Sequence, residues 1–253
     1  MTAVSAFALS TGVAMAEDIK IGVFLGFTGP IESTVANMAP GADLAIKEVS
    51  DSGKLLGGST VTAVRGDTTC IDAAVATATA ERLITSDGVK AIVGGDCSGV
   101  TTAALQNVAV PNGVVMISPS ATSPALSTVE DTGLSFRAAP SDARQGVIVS
   151  EILMEKGAKS IAISYTNNDC GKGLADAIAT NYAKMGGTVT INVPHEDGKG
   201  DYTAEVGALA AAGGDVDHSI GALLDAGQER RKRLGCLIRL AGLGVARVQM
   251  QDG

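Results

Sequence analysis

From Asp18 onward, short runs of β-branched and aliphatic residues alternate with longer stretches whose apolar residues recur at helical spacing. The short runs predict strands at 19–25, 60–64, 91–95, 114–117, 160–165 and 188–193. The longer stretches predict helices at 35–49, 72–85, 98–110, 142–156, 171–185 and 202–212. In the first helix we expect Ala42, Ala45, Ile46 and Val49 to share a face. Asp72 and Asp142 are predicted N-caps because their side chains can accept from the first free backbone N–H groups.

This regular exchange of strand and helix predicts an α/β fold with parallel sheets, right-handed crossovers and helices on both sheet faces. The pattern runs through two cycles that join near residues 136–140, which predicts a first α/β lobe at 17–139 and a partial second lobe at 140–214. In open parallel sheets, ligands bind beyond the carboxyl ends of the strands. Two such lobes facing each other would form a cleft.

The two ends of the chain differ from this pattern. Residues 1–16 are small and apolar, are too short to span a bilayer, and end in Ala14-Met15-Ala16, which predicts a signal peptide that lacks its basic n-region. A buried first helix is the alternative. Residues 1–214 carry a net charge of −9, whereas 215–253 carry +1 and lose strand-like alternation. We interpret 215–253 as an aberrant, frameshifted tail and the second lobe as incomplete.

Composition and charge narrow the functional classes. With 45% hydrophobic and 18% charged residues, the chain can bury a substantial core, which excludes a disordered or fibrous protein. A net charge of −8 opposes binding to nucleic acid or to an anionic membrane surface. No segment after the predicted signal peptide is long and apolar enough for membrane insertion.

The four cysteines are Cys70, Cys97, Cys170 and Cys236, and none has the C-x-x-C spacing of a zinc or thioredoxin site. Cys70 and Cys97 follow consecutive predicted strands, and we expect those strands to lie side by side. In an exported protein this favours a disulfide between them. The alternative is two free, buried thiols.

Three loops at strand ends are candidate binding segments. GFTGPIEST, 26–34, combines glycines and hydroxyls, although an ordinary turn is the favoured explanation. GGDCSGVTTAA, 94–104, brings Ser98 to a helix N-terminus, where free N–H groups favour a carboxylate or phosphate; a simple helix cap is the alternative. MISPSATSPAL, 116–126, places Ser120 and Thr122 just before a helix start marked by Pro124.

The order of these segments along the chain is informative. The succession EDIKIGVFLGFTGP, DTTC, GGDCSG, GVVMISPSATSPALS, FRAAPSDARQG and NNDCGKGLADA resembles the leucine/isoleucine/valine-binding proteins over 17–214. The resemblance implies a two-lobed periplasmic-binding-protein, or Venus flytrap, architecture. It implies a non-catalytic, periplasmic protein without a cofactor, which delivers a branched-chain or similar amino acid to an inner-membrane ABC permease.

The resemblance also implies roles for individual residues. The cysteines that match Cys70 and Cys97 form a disulfide in that family. The residues matching Ser98 and Thr122 bind the carboxylate and ammonium of the ligand, and the residue matching Ser120 offers its backbone carbonyl. Cys170 stands where the family commonly has a tyrosine, and the family's acidic ammonium partner has no match. The expected ligand-binding set is Thr34, Ser98, Ser120, Ala121, Thr122 and Cys170.

Three other functions stay open at this point. The chain is a degenerate, truncated product of such a binding protein, or it is a sensor that uses the same fold for amide or urea ligands. A Rossmann-like enzyme is a third reading, but the sequence has no nucleotide-phosphate spacing, no G-x-S-x-G elbow and no H-E-x-x-H helix. We expect His195, in a polar loop, to be solvated.

Overall fold

The computed structural model describes residues 16–214, 216–220 and 238–241. The predicted signal peptide, except for its last residue, and most of the predicted aberrant tail lie outside these residues. No helix within the described part of the chain is long and apolar enough to cross a membrane.

The first half of the described chain forms a five-stranded sheet. Its strands are β1 (Asp18–Leu25), β2 (Thr60–Asp67), β3 (Ala91–Gly94), β4 (Val115–Ser118) and β5 (Ser135–Arg137), and all neighbouring pairs are parallel. The spatial order is β2-β1-β3-β4-β5. Helices α1 (Glu32–Asp51), α2 (Ala73–Glu81) and α3 (Ser98–Ala104) connect the strands. This arrangement confirms the predicted α/β class.

Helices cover both faces of this first sheet. On one face, α2 and α3 enclose a core that includes Phe24, Leu83, Ile92, Leu105 and Met116. Asp72 caps α2 by accepting from the backbone N–H groups of Ala74 and Val75, as predicted. Burial of these apolar side chains stabilises the sandwich by removing them from water.

Helix α1 covers the other face, but with a different set of side chains from the predicted one. Val35 and Ala39 are buried against Val23 and Leu25, while Val49 is exposed. Ala42 and Ile46 pack against this cluster. The helix begins at Glu32, three residues earlier than predicted, and Ala45, which was predicted on this face, is exposed.

The second half of the described chain builds a four-stranded sheet. Strands β6 (Ser160–Thr166), β7 (Thr188–His195), β8 (Val216–Ile220) and β9 (Ile238–Ala241) have the order β7-β6-β8-β9. The first three are parallel and β9 is antiparallel to β8. Helices α4 (Asp142–Glu155), α5 (Asp169–Lys184) and α6 (Thr203–Ala212) accompany this sheet.

Helices α4 and α5 pack closely against each other and against β6. A Cβ on Gly146 would lie 2.6 Å from the Cβ of Ala177, so glycine permits this approach. Leu153, Ile161, Leu174, Ile178 and Tyr182 form the buried core. The hydroxyl of Tyr182 donates to the carbonyl of Ala158, which satisfies the one polar atom of that buried ring.

The expectation that strand-like sequence is lost after Gly214 was wrong at β8. This strand follows α6 and pairs in parallel with β6 from Ile161↔Val216 to Tyr165↔Ile220. The segment VDHSI has apolar residues only at its two ends, Val216 and Ile220, with three polar residues between them. A five-residue strand accommodates this pattern because its two ends are an even number of residues apart. A pattern of five residues was too short to be recognised as a strand from the sequence.

Candidate functional site

The loops that follow β3 and β4 meet at the carboxyl edge of the first sheet, because these strands are neighbours. Ser118, at the end of β4, donates its hydroxyl to the carbonyl of Gly95 in the loop after β3. Ser120 donates its hydroxyl to the carbonyl of Asp96 at 2.9 Å. These two bonds fix the loops against each other and confirm that the two hydroxyl-rich segments converge.

Ser98 is the first residue of α3 and does not cap its own helix. The N-cap position belongs to Cys97, which makes no side-chain cap bond. The hydroxyl oxygen of Ser98 instead accepts from the backbone N–H of Ser123 at 3.1 Å. A serine hydroxyl that accepts one bond still has its own O–H to donate. Ser98 therefore joins the two loops and keeps a donor for a ligand.

The segment from Ser118 to Thr122 is buried and held by its own hydrogen bonds. The backbone N–H of Ala121 donates to the Ser118 hydroxyl at 2.9 Å, and the Ala121 side chain is fully buried. Among the described residues, no hydrogen-bond donor reaches the carbonyl of Ser120. That carbonyl is an available acceptor in the loop that Ser98 contacts through the N–H of Ser123.

Thr122 lies where the two halves of the chain meet. Its carbonyl accepts from the backbone N–H of Asp142 at 2.9 Å, at the start of α4. Its hydroxyl oxygen is 3.3 Å from the sulphur of Cys170, in the first turn of α5. The same sulphur is 3.6 Å from Oδ2 of Asp142. Thr122, Asp142 and Cys170 thus form one polar group between the first sheet and α5.

Asp142 is a residue of this site that the sequence reasoning assigned only to a helix cap. Ser141 is the N-cap instead, since its side chain accepts from the backbone N–H of Ala143. The side chain of Asp142 is fully buried. Burial raises the pKa of its carboxyl, and the Thr122 hydroxyl and the positive charge of Arg137 partly offset this. The only sequence signal was a Ser-Asp pair, which leaves open which of the two residues caps.

Direct contacts bring α5 against the first sheet's loops. A Cβ on Gly173 would lie 2.6 Å from Cδ of Pro124, and one on Gly99 would lie 3.7 Å from Oδ2 of Asp169. Pro124 begins a short 3-10 helix, Pro124–Ser127, whose N-cap Ser123 accepts from the N–H of Ala125. The helix start predicted at Pro124 is therefore confirmed, and it lies against α5.

The disulfide between Cys70 and Cys97 is confirmed, with a Cα–Cα distance of 5.3 Å. The reason given for it was wrong, because β1 lies between β2 and β3 in the sheet. The loop after β2 crosses the end of β1 through Thr69 and Cys70, whose φ values of 55° and 68° turn the chain back. The disulfide therefore ties the ends of three strands together.

Beneath this disulfide, Asp96 is a second buried carboxylate. It accepts from the backbone N–H of Gly26, from the Thr68 hydroxyl at 2.9 Å and from the N–H of Cys97 at 3.0 Å. Burial raises its pKa, and these three donors oppose that effect. Asp96 thereby holds together the loops after β1, β2 and β3.

The fold agrees with the comparisons to known proteins. A family model described as periplasmic binding protein matches residues 18–228. The chain belongs to the periplasmic binding protein family. A Leu/Ile/Val-binding protein homolog of Brucella abortus is 32% identical over 201 residues, which are 79% of this chain and 53% of that relative. The chain thus spans about half the length of the curated relatives that it matches.

Solved structures of the family have the same architecture. LivJ from Streptococcus pneumoniae, a branched-chain amino acid transporter substrate-binding protein in complex with isoleucine, has a TM-score of 0.67 and 30% identity. The matched region covers 79% of this chain and 56% of the LivJ chain. A solute-binding protein from R. palustris, in complex with 4-hydroxybenzoate, has a TM-score of 0.69 at 24% identity, with 79% of this chain and 53% of that chain covered. These relatives are solute-binding proteins.

Two further residues from the sequence analysis lie outside the loops after β3 and β4. Thr34 lies half-buried in the first turn of α1, and none of the hydrogen bonds described between those two loops involves it. His195 is buried at the end of β7, so the expectation of a solvated side chain was wrong. Its Nδ1 is 2.7 Å from the Ser164 hydroxyl and its Nε2 is 3.4 Å from that of Thr166. Neighbouring hydroxyls thus satisfy a ring that the sequence placed in a polar loop.

His195 and the carboxylates do not assemble into a metal centre in the part of the chain that the structure describes. Burial lowers the pKa of His195, against the opposing charges of Asp197, Glu205 and Glu196. The neutral imidazole is therefore the form that this fold favours.

Proposed function

We propose that this chain is the periplasmic solute-binding component of an ABC importer and that it captures a branched-chain or similar aliphatic α-amino acid without catalysis. The ligand would lie between the unit of residues 17–139 and that of residues 140–214. Family membership supports a solute-binding role, and the Leu/Ile/Val-binding relatives support the ligand class. The convergence of the Ser98 and Thr122 loops is the observation that carries the proposal.

The carboxylate end of an amino acid fits the turn between β3 and α3. Ser98 has an O–H to donate, and the N–H groups of the first helical turn have no partner within the helix. Hydrogen bonds to a carboxylate are charge-assisted and therefore stronger than those between neutral groups. A carboxylate beside Ser98 would also lie next to the loop that carries Ser120.

The ammonium end of the amino acid requires hydrogen-bond acceptors, and the loop after β4 would supply them. The Ser120 carbonyl and the Thr122 hydroxyl both lie within the segment that Ser98 contacts through Ser123. Ala121, fully buried between them, keeps their backbone in place. Cys170 approaches Thr122 from α5, so the second unit would close over the ammonium. Hinge closure of two units around a ligand is the usual motion of binding proteins with this architecture.

Isothermal titration of the full chain with leucine, isoleucine and valine tests the proposal. We expect heat of binding for at least one of the three and none for glutamate, whose charged side chain would be buried at a cost. Ser98→Ala should weaken binding by about tenfold or more, because a donor to a buried carboxylate is lost. Ser86→Ala, at an exposed position, is the matched control.

A folded full chain that gives no heat with any of the three amino acids would overturn the proposal. If the Ser98→Ala and Ser86→Ala variants bind with equal affinity, the ligand carboxylate does not lie at the turn between β3 and α3. Circular dichroism of each variant shows whether it is folded. Copurification with an inner-membrane permease and ATPase tests the importer assignment separately.

A further inference from the structure

Gly173 lies inside α5, where a glycine makes a helix less stable than an alanine would. Its φ is not positive, so the backbone conformation does not require a glycine. The neighbouring atoms do require one. A Cβ on Gly173 would lie 2.6 Å from Cδ of Pro124 and 3.4 Å from the hydroxyl oxygen of Ser123. Because carbon atoms in contact are about 3.5–4.0 Å apart, an added methyl group would clash with the proline ring.

This close contact joins the two units of the chain. Pro124 begins the 3-10 helix that follows the loop after β4 and belongs to the first unit, whereas α5 belongs to the second. One turn before Gly173, the sulphur of Cys170 lies 3.3 Å from the hydroxyl oxygen of Thr122. The contact between Gly173 and Pro124 therefore lies beside the proposed ligand site, on the surface along which the two units meet.

Two other glycines inside helices have different surroundings. In α4, a Cβ on Gly146 would lie 2.6 Å from the Cβ of Ala177, and both residues belong to the second unit. In α6, no described atom lies within 4 Å of a Cβ added to Gly207. Gly146 thus permits packing inside one unit, and Gly207 permits no contact at all. Of these three glycines, Gly173 is the one that faces the other unit.

We propose that Gly173 sets how closely the two units can approach, and that its lack of a side chain lets them close on a ligand. The inference rests on the proposed function and goes beyond it, because it names a residue that limits closure. A methyl group at this position would hold α5 away from Pro124 in the closed arrangement. With the units apart, the same methyl group meets no proline ring and favours the helix.

The proposal separates ligand affinity from stability. When a protein must close on its ligand, the observed affinity includes the free energy of closure, so a clash in the closed arrangement weakens binding. The clash does not burden the ligand-free chain with its units apart, and an alanine stabilises the helix there. A glycine with a purely structural role would behave differently, because its replacement would lower stability and affinity together.

The test compares Gly173→Ala with Gly146→Ala and Gly207→Ala in the full chain. Gly173→Ala should weaken leucine binding by about tenfold or more in titration calorimetry. It should also raise the ligand-free melting temperature by about 2–4 °C. Gly207→Ala should give a similar rise with unchanged affinity. Gly146→Ala should lower the melting temperature, because Ala177 leaves no room for a methyl group.

Small-angle X-ray scattering measures closure itself. Leucine should reduce the radius of gyration of the unmodified chain and of Gly207→Ala, because the two units come together. The reduction should be smaller in Gly173→Ala. An equal reduction in all three proteins would contradict the proposal.

Pro124→Ala provides an independent check because it removes the ring carbon that the new methyl group would meet. The double variant, Gly173→Ala with Pro124→Ala, should bind leucine to within about threefold of Pro124→Ala alone, since substitutions of residues in contact are not additive. A full, additive loss of affinity in the double variant would contradict the proposed clash.

The remaining outcomes separate this inference from the proposed function. If the unmodified chain binds leucine and Gly173→Ala binds it equally well, the inference is wrong and the proposed function stands. A Gly173→Ala chain that does not fold, or that is destabilised as much as Gly146→Ala, also overturns the inference. If the folded, unmodified chain binds none of leucine, isoleucine and valine, the proposed function fails, and this inference fails with it.

Discussion

Two aspartates are buried in the part of the chain that the structure describes, and their environments differ. Asp96, at the end of the first sheet, receives hydrogen bonds from the loops after three strands and lies beneath the Cys70–Cys97 disulfide. Asp142, at the start of α4, is as deeply buried but has one oxygen without a described partner. A buried charge whose oxygens are all hydrogen-bonded holds a structure together, whereas a buried charge with an unpaired oxygen contributes less to stability.

The comparison predicts that the two regions respond differently to substitution. Changes around Asp96 should cost stability and affect binding only through the fold. Changes at Asp142 should leave stability nearly intact. The predictions below run from the largest expected change in the free energy of unfolding to the smallest.

Removal of the disulfide by the double substitution Cys70→Ser and Cys97→Ser should have the largest effect. The bond closes a loop with a sequence separation of 27 residues. A loop of this length corresponds to a loss of about 3 kcal/mol in the free energy of unfolding. Urea unfolding monitored by circular dichroism measures it. A double variant that is as stable as the unmodified chain would contradict this prediction.

Asp96→Asn should come next, at about 2 kcal/mol. Asparagine replaces one acceptor oxygen with an NH₂ group, which then faces an N–H or O–H donor in a buried site. Urea unfolding again gives the value, with the exposed Asp176→Asn as the control. Loss of less than about 0.5 kcal/mol would show that the hydrogen bonds to Asp96 are not structurally important.

His195 extends the comparison to a buried base. Because burial lowers its pKa, the unfolded chain binds a proton more readily than the folded chain as the pH falls below about 6.5. Stability is therefore complete above that pH and declines as the pH falls through the folded-state pKa. Unfolding at about pH 7, 6 and 5 should show this decline in the unmodified chain and a shallower one in His195→Gln. Identical slopes would mean that His195 does not contribute.

Asp142→Asn should have the smallest effect on stability, within about 0.5 kcal/mol of zero or slightly stabilising. The substitution removes a buried charge whose Oδ1 has no described partner, so little hydrogen bonding is lost. Thermal unfolding without ligand measures this change. A loss as large as that of Asp96→Asn would remove the distinction between the two aspartates.

The sequence predicted the elements of this fold better than their arrangement. Strand 19–25 and the Asp72 cap could be recognised because they depend on neighbouring residues alone. The order of β2, β1 and β3 could not, since it is decided by packing between residues far apart in the chain. For the same reason, the disulfide was predicted correctly from an incorrect arrangement of strands. The three-residue β5 has too few positions for any periodicity to appear.

The candidate site shows a similar division. Ser98 and Thr122 stood out because glycines and hydroxyls follow two predicted strands. Asp142 did not, because its importance depends on its burial and on the absence of a described partner for Oδ1, and neither property can be read from a Ser-Asp pair. His195 was misplaced because its polar neighbours in sequence hid the hydroxyls that surround it in the fold.

A crystal structure of the full chain grown with leucine tests the central claim most directly. The account predicts the leucine carboxylate within about 3 Å of the Ser98 hydroxyl. It predicts the leucine ammonium at similar distances from the Ser120 carbonyl and the Thr122 hydroxyl. Leucine bound in the opposite orientation, or at a place remote from the loops after β3 and β4, would contradict it.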